Sequence, residues 1–142
     1  AIMQNLLPVD GSECTSRMVA YLAAHDELFG PRHEYVMLMA IENLPATVAS
    51  LLDPRAIDEY CNREVEHVFA PLRAFAEQNR WGVKVEVVNG DAGASIARFA
   101  QHNQVDLVVM GSHGRTALAN VVMGSVATSV LARCKTPVLI IR

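Results

Sequence analysis

The stretch VDLVVMGSHGR at residues 105–115, followed by GSVATSVLAR at residues 124–133, decides the fold. The apolar run at 105–110 predicts a buried strand, and residues 125–133 predict a helix with Ser125 near its start. The glycines between them lack a Cβ, so a ligand can approach their backbone N–H groups closely. Successive N–H groups and a helix N-terminus together favour an anion. The stretch therefore predicts a strand, a phosphate-binding loop and a helix.

The rest of the chain repeats this alternation of strand and helix. Apolar runs and period-2 patterns predict strands at residues 2–9, 33–41, 83–88, 105–110 and 137–141. Helical periodicity predicts helices at residues 12–28, 54–76, 94–103 and 125–133. The resulting βαβαβαβαβ order is typical of an α/β fold, in which right-handed crossovers place helices on both faces of a parallel sheet.

The longest helix carries signals at its start and in its interior. Asp53 can cap this helix, with Pro54 at its first position. Pro71 interrupts the apolar stripe and predicts a kink or a break there. The connection before this helix, residues 42–53, contains several apolar side chains, and the sequence leaves open whether it forms a lid or a dimer contact.

Composition limits the class of protein. The 142 residues are 51% hydrophobic and 19% charged, which predicts one compact domain over residues 1–142 with a real core. The net charge of −3 gives no basic surface for nucleic acid. No apolar run reaches the about 18 residues of a membrane span, and no signal peptide is evident, so we expect a cytoplasmic protein without a membrane partner. Because the chain opens at Ala1, a trimmed N-terminus is left open.

The sequence contains no convincing metal site. Cys14, Cys61 and Cys134 are odd in number and lack C-x-x-C spacing, so we expect reduced thiols rather than disulfides or a zinc site. Glu64 and His67 have the spacing of half a carboxylate-bridged dimetal site, but the chain holds no second copy. We interpret them as a polar helix face.

Two strand ends carry unusual sequences. The first strand ends in PVDGS at residues 8–12, and the fourth ends in GSHG at residues 111–114. Ligands of parallel sheets bind beyond the carboxyl ends of strands, where the strand order reverses. If the reversal lies between these two strands, both sequences face one crevice.

At these residues the chain resembles the universal stress protein family, across essentially its full length. The resemblance rests on Val9-Asp10-Gly11-Ser12, Gly90, Gly111-x-x-Gly114-x9-Gly124-Ser125 and the ending Thr136-Pro137-Val-Leu-Ile-Ile141. In that family the glycine pattern marks members that bind ATP. The resemblance implies a doubly wound five-stranded parallel sheet of order 3-2-1-4-5, Rossmann-like and similar to adenine nucleotide alpha hydrolases, with its reversal between the first and fourth strands.

The resemblance also implies a nucleotide site. Its residues, with the neighbouring cations, are Pro8, Val9, Asp10, Ile41, Met110, Gly111, His113, Gly114, Arg115, Gly124, Ser125 and Val126. Pro8, Val9 and Asp10 would line the adenosine end, and Ile41 would contact adenine through its backbone. Ala40 stands where the family commonly has a histidine.

The same resemblance places the phosphates at the second glycine group. Gly111 would approach the ribose, and the phosphates would be held by Gly114, Gly124, Ser125 and Val126. Charge supports this orientation, because the Asp10 carboxylate would repel a triphosphate and fits a ribose hydroxyl or the adenine amine better. His113 and Arg115 are the nearby cations, which could touch phosphate or be solvated.

Structural and catalytic roles stay open for several of these residues. Asp10 could be a helix-capping or turn aspartate, and Ser125 a plain N-cap. Ser112 and His113 could be a nucleophile and its base. Their adjacency in sequence says little about a hydrogen bond, and the G-x-S-x-G elbow is absent.

Other nucleotide-binding classes lack their motifs. Neither a Walker A lysine nor G-x-G-x-x-G is present. Asp10 alone does not supply the base and metal carboxylates of a phosphoryl-transfer enzyme. We therefore predict an ATP-binding stress-response module with slow or no ATP hydrolysis, no assigned catalytic residue, and Mg²⁺ carried on the phosphates. The alternatives are a dimeric interaction module that binds no nucleotide, and an ATP-cleaving or adenylate-forming enzyme.

The last strand predicts a partner. Residues 138–141 are apolar and would lie at the edge of the sheet, where unpaired backbone groups favour pairing with another chain. A twofold homodimer would cover this edge, and the resemblance implies the same dimer. A terminus or a helix over the edge is the alternative.

Overall fold

Strands and helices alternate along the chain in the computed structural model, which describes residues 1–114 and 123–142. The strands are β1 (Gln4–Pro8), β2 (Glu34–Ile41), β3 (Gly82–Asn89), β4 (Leu107–Gly111) and β5 (Val138–Ile141). The helices are α1 (Glu13–Ala24), α2 (Asp26–Phe29), α3 (Ala46–Ala49), α4 (Pro54–Gln78), α5 (Ala92–His102) and α6 (Ser125–Arg133). The strand and helix alternation predicted from the sequence is confirmed, with α2 and α3 as additional short helices.

The five strands form one parallel sheet of order β3-β2-β1-β4-β5, as predicted. Leu6 of β1 lies beside Val36 of β2 and Val108 of β4. The strand order therefore reverses between β1 and β4. The carboxyl ends of these two strands meet at the same edge of the sheet, where a ligand crevice is expected.

Two apolar cores lie on opposite faces of the sheet. Successive residues of β1 point to opposite faces, so Leu7 belongs to one core and Leu6 to the other. Helices α1 and α4 cover the first core with residues such as Met18 and Phe69. Helices α5 and α6 cover the second with Ile96, Ala100, Ala127 and Val130. The predicted arrangement, with helices on both faces, is confirmed.

Side-chain caps fix the starts of the long helices. The Asp53 carboxylate accepts a hydrogen bond from the Arg55 N–H at the start of α4, and Pro54 is the first helical residue, as predicted. The Asp91 carboxylate caps α5 by accepting from the Ala94 N–H. This helix begins at Ala92, two residues before the predicted start at 94, because Asp91 is its N-cap.

The predicted end of the first helix is wrong, and of the kink or break predicted at Pro71 the break is absent. The helix predicted to run to about residue 28 ends at Ala24, because the His25 ring lies 2.8 Å from the Tyr21 carbonyl, the acceptor that a continuing helix would use. The His25 N–H bonds instead to the Leu22 carbonyl. The break at Pro71 does not occur, since α4 continues to Gln78. Buried neighbours of Pro71 hold the helix on the sheet despite the missing N–H.

The strand β5 lies at the edge of the sheet, as predicted. Its residues Val138 and Ile140 are half-buried and pack on the second core. The three cysteines are free, and Cys14 is buried. Among the described residues, no helix combines the length and hydrophobicity needed to cross a bilayer.

A buried histidine ties the start of β1 to β2. The His33 side chain is only 4% exposed. Its Nδ1 accepts a hydrogen bond from the Met3 N–H at 3.0 Å, and Arg32 Nε lies 3.2 Å from its Nε2. A doubly protonated ring would direct its own N–H groups at these donors. Burial, and then the Arg32 charge, lower the pKa of His33 below its usual 6.5.

We expect His33 to make the fold less stable in mild acid. Because the folded state holds the His33 pKa below 6.5, its contribution is complete above pH 6.5 and is lost as the pH falls below that value. The slope from one proton is at most about 1.4 kcal/mol per pH unit. Urea unfolding of His33→Asn, which keeps an acceptor for Met3 but cannot titrate, should show a smaller loss between pH 7.5 and 5.5.

The exposed His102 provides the control. His102→Gln removes an exposed imidazole instead of a buried one, and the pH dependence of His33→Asn is compared with it. An identical pH dependence in His33→Asn and the unsubstituted protein would contradict the assignment.

Candidate functional site

A cavity of about 460 Å³ opens where β1 and β4 end. The ends of β1, β2 and β4 form its walls together with the first turns of α5 and α6. The predicted site residues that line it are Pro8, Val9, Asp10, Met110, Gly111, His113, Gly114, Gly124, Ser125 and Val126. The fold therefore brings the two unusual strand ends into one crevice, as predicted from the sheet order.

Two predicted site residues are not among the cavity lining. Ile41 packs against the first core, and its carbonyl accepts a hydrogen bond from the Gly90 N–H at 2.9 Å. Its neighbours Ala40 and Glu42 line the cavity instead. Arg115 lies outside the described residues.

Sequence reasoning missed the residues that the helices contribute. Ile96 of α5 and Ala127 of α6 are buried residues of the second core that also line the cavity, with Leu38 of β2. They provide an apolar floor. The periodicity of α5 identified Ile96 as a core residue, but only the sheet order shows that this face reaches the ligand edge.

Asp10 is held in place by its own turn. Its Oδ1 accepts hydrogen bonds from the Ser12 N–H and the Thr15 hydroxyl, both at 2.9 Å. The Asp10 N–H donates to the same hydroxyl at 3.2 Å. The N-cap of α1 is Ser12 rather than Asp10. Asp10 thus serves the turn through Oδ1, while Oδ2 lies against the backbone of Gly114.

The glycines of the motif sit where a side chain would collide. A Cβ at Gly114 would lie 2.7 Å from Asp10 Oδ2, and one at Gly111 would lie 2.8 Å from the Cys14 Cβ. A Cβ at Gly124 would lie 3.1 Å from the Ser112 carbonyl oxygen. Close packing therefore explains all three glycines by itself, and substitution of a glycine cannot separate a packing role from a binding role.

Helix α6 runs from Ser125 to Arg133, the bounds predicted from the sequence, and only the alternative of Ser125 as a plain N-cap is wrong. Gly124 is the N-cap, so Ser125 is the first helical residue and not the N-cap. The Gly124 N–H donates to the Ser112 carbonyl at 2.6 Å, so this donor is engaged within the protein. The first helical bond runs from the Thr128 N–H to the Gly124 carbonyl. The N–H groups of residues 125–127 have no acceptor within the helix, and all three residues line the cavity.

Ser112 and His113 are hydrogen-bonded. The Ser112 Oγ lies 3.0 Å from His113 Nδ1, and both residues line the cavity. Ser112 is 5% exposed, and its N–H donates to the Ile141 carbonyl at 3.0 Å. Sequence adjacency could not establish this side-chain contact.

The other predicted polar pair lies elsewhere. Glu64 and His67 line a second cavity, of about 600 Å³, between α1 and α4. Among the described residues, no group of three or more histidines, cysteines, aspartates or glutamates could hold a metal ion.

The sequence model of the Universal stress protein family matches residues 3–142. The universal stress protein MJ0531 of Methanocaldococcus jannaschii is 34% identical over 88 residues, 61% of this chain but only 51% of that relative. The chain thus matches about half the length of MJ0531. The universal stress protein MJ0577 of the same organism is 26% identical over 154 residues, covering 96% of this chain and 93% of the relative.

Solved structures share the fold. The structure of MJ0577 superposes with a TM-score of 0.78 at 25% identity, covering 98% of this chain and 94% of that one. The universal stress protein of Archaeoglobus fulgidus, solved in complex with dAMP, gives a TM-score of 0.70 and covers 99% of this chain and 98% of the other. Its identity to this chain is 15%, so this likeness concerns the fold.

Gly111→Ala should destabilise the protein without any ligand. The new Cβ would press on the Cys14 Cβ. Because Cys14 is buried at the start of α1, it cannot easily move away. Overpacking of this kind costs about 1–3 kcal/mol, measurable by urea unfolding.

Gly82→Ala is the matched control, because its Cβ would meet no atom within 4 Å. We expect this change to alter the free energy of unfolding by no more than about 0.5 kcal/mol. Equal effects of the two substitutions would show that close packing at Gly111 is not the reason for its glycine.

Proposed function

The chain belongs to the universal stress protein family, and on this premise we propose that it binds ATP in the cavity between β1, β4 and α6. The observation that carries the proposal is the first turn of α6, whose N–H groups face a cavity with a carboxylate, Asp10, at another wall. The cavity volume lies within the range of small-molecule sites. A neighbour of the same fold, from Archaeoglobus fulgidus, was solved with dAMP.

Charge orients the nucleotide in this proposal. The phosphates lie on the N–H groups of residues 125–127 and on the Ser125 hydroxyl, where the positive end of the α6 dipole favours them. The adenosine lies over Met110 and over Ile96 of the apolar floor, with Asp10 accepting from a ribose hydroxyl or the adenine amine. Each charge-assisted hydrogen bond contributes about 1.5–3 kcal/mol. A few such bonds support an affinity near micromolar, about 8 kcal/mol.

We assign the protein the role of a nucleotide-dependent regulatory module in the stress response, with slow or no ATP hydrolysis. Its occupancy by ATP would report the energy state to partners. Mg²⁺ is carried on the phosphate oxygens in this proposal, because among the described residues no group of three or more histidines, cysteines, aspartates or glutamates could hold a metal ion.

The Ser112–His113 hydrogen bond favours an ATP-cleaving enzyme as a second candidate. A serine bonded to a histidine is the start of a nucleophile and base arrangement. Ser112 is almost completely buried, however, which limits its access to a phosphorus atom. Release of ADP and phosphate from Mg·ATP above the uncatalysed background, lost in Ser112→Ala, would favour the enzyme.

The alternative of an interaction module that binds no nucleotide explains Gly111, Gly114 and Gly124 by close packing alone. A thermal shift separates it from the ATP-binding proposal, since ATP at about 100 times its Kd stabilises the fold by about 2.7 kcal/mol.

We further propose a homodimer through β5. The N–H groups of Val108 and Ser112 donate to the carbonyls of Pro137 and Ile141, so alternate residues of β5 bond to β4. The backbone groups of Val138 and Ile140 therefore point to the open edge. A second copy of β5 across a twofold axis would pair them.

Ser125→Pro should weaken ATP binding by about 10- to 100-fold, measured by isothermal titration calorimetry. Proline removes the hydroxyl and one N–H donor, and each bond to a charged group contributes about 1.5–3 kcal/mol. The helix should persist, because proline suits the first helical position and Gly124, with φ −72° and ψ 165°, already has the conformation that precedes proline.

Ser125→Ala is the matched control, since it removes the hydroxyl but keeps the N–H. It should lose less affinity than Ser125→Pro. Unchanged affinity in Ser125→Pro would contradict the placement of the phosphates, and absence of ATP binding to the unsubstituted protein would contradict the proposed function.

Ile140→Pro should convert the dimer to a monomer. The substitution removes an N–H that faces the open edge, while the bonds between β5 and β4 stay. Size-exclusion chromatography with light scattering measures the mass at micromolar concentration. Ile140→Ala, which loses the same packing but keeps the N–H, should remain a dimer. A monomeric unsubstituted protein would contradict the proposed dimer.

A further inference from the structure

The backbone of Ser112 is fixed from two sides at the edge of the cavity. Its N–H donates to the Ile141 carbonyl at 3.0 Å, and its carbonyl accepts from the Gly124 N–H at 2.6 Å. Ser112 therefore joins the end of β5 to the start of α6. With the side chain 5% exposed, its hydroxyl has little room to change partners.

His113 lies directly against the first turn of α6. The Cβ that Gly124 lacks would stand 3.2 Å from the His113 Cα, so the two backbones are in close contact. His113 lines the cavity, and its Nδ1 lies 3.0 Å from the Ser112 Oγ. This bond restricts rotation of the ring at the wall of the cavity that residues 125–127 also line.

The hydroxyl suits either charge state of the ring. A buried hydroxyl hydrogen needs an acceptor, and Nδ1 provides one when the neutral ring carries its proton on Nε2. When the ring is protonated, Nδ1 donates to Oγ instead, and Nε2 still carries a hydrogen. With the hydroxyl donating to Nδ1, or with the ring protonated, Nε2 carries a hydrogen and is a donor, which suits an anion rather than a cation.

The charges of the cavity wall agree with that direction. Among the described lining residues, Asp10 and Glu42 bring carboxylates, and His113 is the side chain that can become positive. The two carboxylates belong to the ends of β1 and β2, whereas His113 belongs to the end of β4 beside α6. An uncharged sugar and base gain no binding energy from His113. The phosphates of a nucleotide do gain binding energy from it.

We propose that Ser112 is a positioning residue for His113, and that the pair makes the cavity select phosphorylated adenosine over adenosine itself. The inference rests on the proposed ATP site and adds to it a selecting side chain outside the helix N-terminus. Ser112 acts through the orientation and the tautomer of His113 and does not touch the ligand.

Calorimetric titrations with ATP and with adenosine test the selection. Ser112→Ala and His113→Gln should each weaken ATP binding by about tenfold and leave adenosine binding unchanged. The double variant should lose no more than His113→Gln alone, because the serine acts only through the histidine. Ser112→Thr, which keeps a hydroxyl, should restore most of the ATP affinity. Urea unfolding of each variant without ligand separates these effects from a loss of stability.

The ring tautomer provides a measurement that needs no nucleotide. Long-range ¹H–¹⁵N spectra of the imidazoles should place the neutral His113 proton on Nε2, and Ser112→Ala should reduce that preference. A proton on Nδ1 in the unsubstituted protein would overturn the inference, even if Ser112→Ala failed to fold.

The titrations also distinguish a failure of the Ser112–His113 proposal from a failure of the proposed ATP site. Equal loss of ATP and adenosine binding in Ser112→Ala, or additive losses in the double variant, would assign Ser112 a structural role and overturn the inference alone. Binding of neither ligand to the unsubstituted protein would overturn the proposed function, and the selection would fall with it.

Discussion

The hydrogen bond from the Gly124 N–H to the Ser112 carbonyl fixes the start of α6 against the end of β4. The bond is 2.6 Å long, and a Cβ at Gly124 would lie 3.1 Å from the same oxygen. A Cβ at this distance would press on the oxygen, so glycine favours this close approach. Because Gly124 is thereby the N-cap, residues 125–127, whose N–H groups have no acceptor within the helix, are the ones that line the cavity. The anion-binding surface that we propose thus begins one residue later than the glycine itself.

The parallel sheet gives the site its second wall. The reversal of strand order places Asp10, at the end of β1, in the same cavity as the first turn of α6. Bonds from Ser12 and Thr15 fix the carboxylate before any ligand arrives. Such preorganisation reduces the entropy lost on binding. A negative group in one wall and helix N–H groups in another give an elongated, unevenly charged ligand one favoured orientation.

Alternation of strands and helices was sufficient to predict a parallel sheet with helices on both faces, because each apolar run and each cap is a local signal. The strand order, and with it the crevice between β1 and β4, was implied by the resemblance to the family and not by the alternation. Errors arose where a side chain competes with the backbone. The His25 ring takes the position beside the Tyr21 carbonyl that a longer helix would need. At α6, Ser125 as a plain N-cap was the alternative that the sequence left open, and the N-cap is Gly124, a residue type that also occurs at this position. Ile41 was expected in the site, yet its neighbours Ala40 and Glu42 line the cavity. The backbone of Ser112 is held by Ile141 of β5 and by Gly124 at the start of α6. Adjacency of Ser112 and His113 in the sequence does not show these contacts, so it could not predict the bond between the two side chains.

Native mass spectrometry of the protein mixed with ATP tests the central claim most directly, because it counts the ligands on each chain. We predict a complex with one ATP per chain at micromolar concentrations. A spectrum in which the protein keeps its unliganded mass at these concentrations would contradict a nucleotide site between β1, β4 and α6.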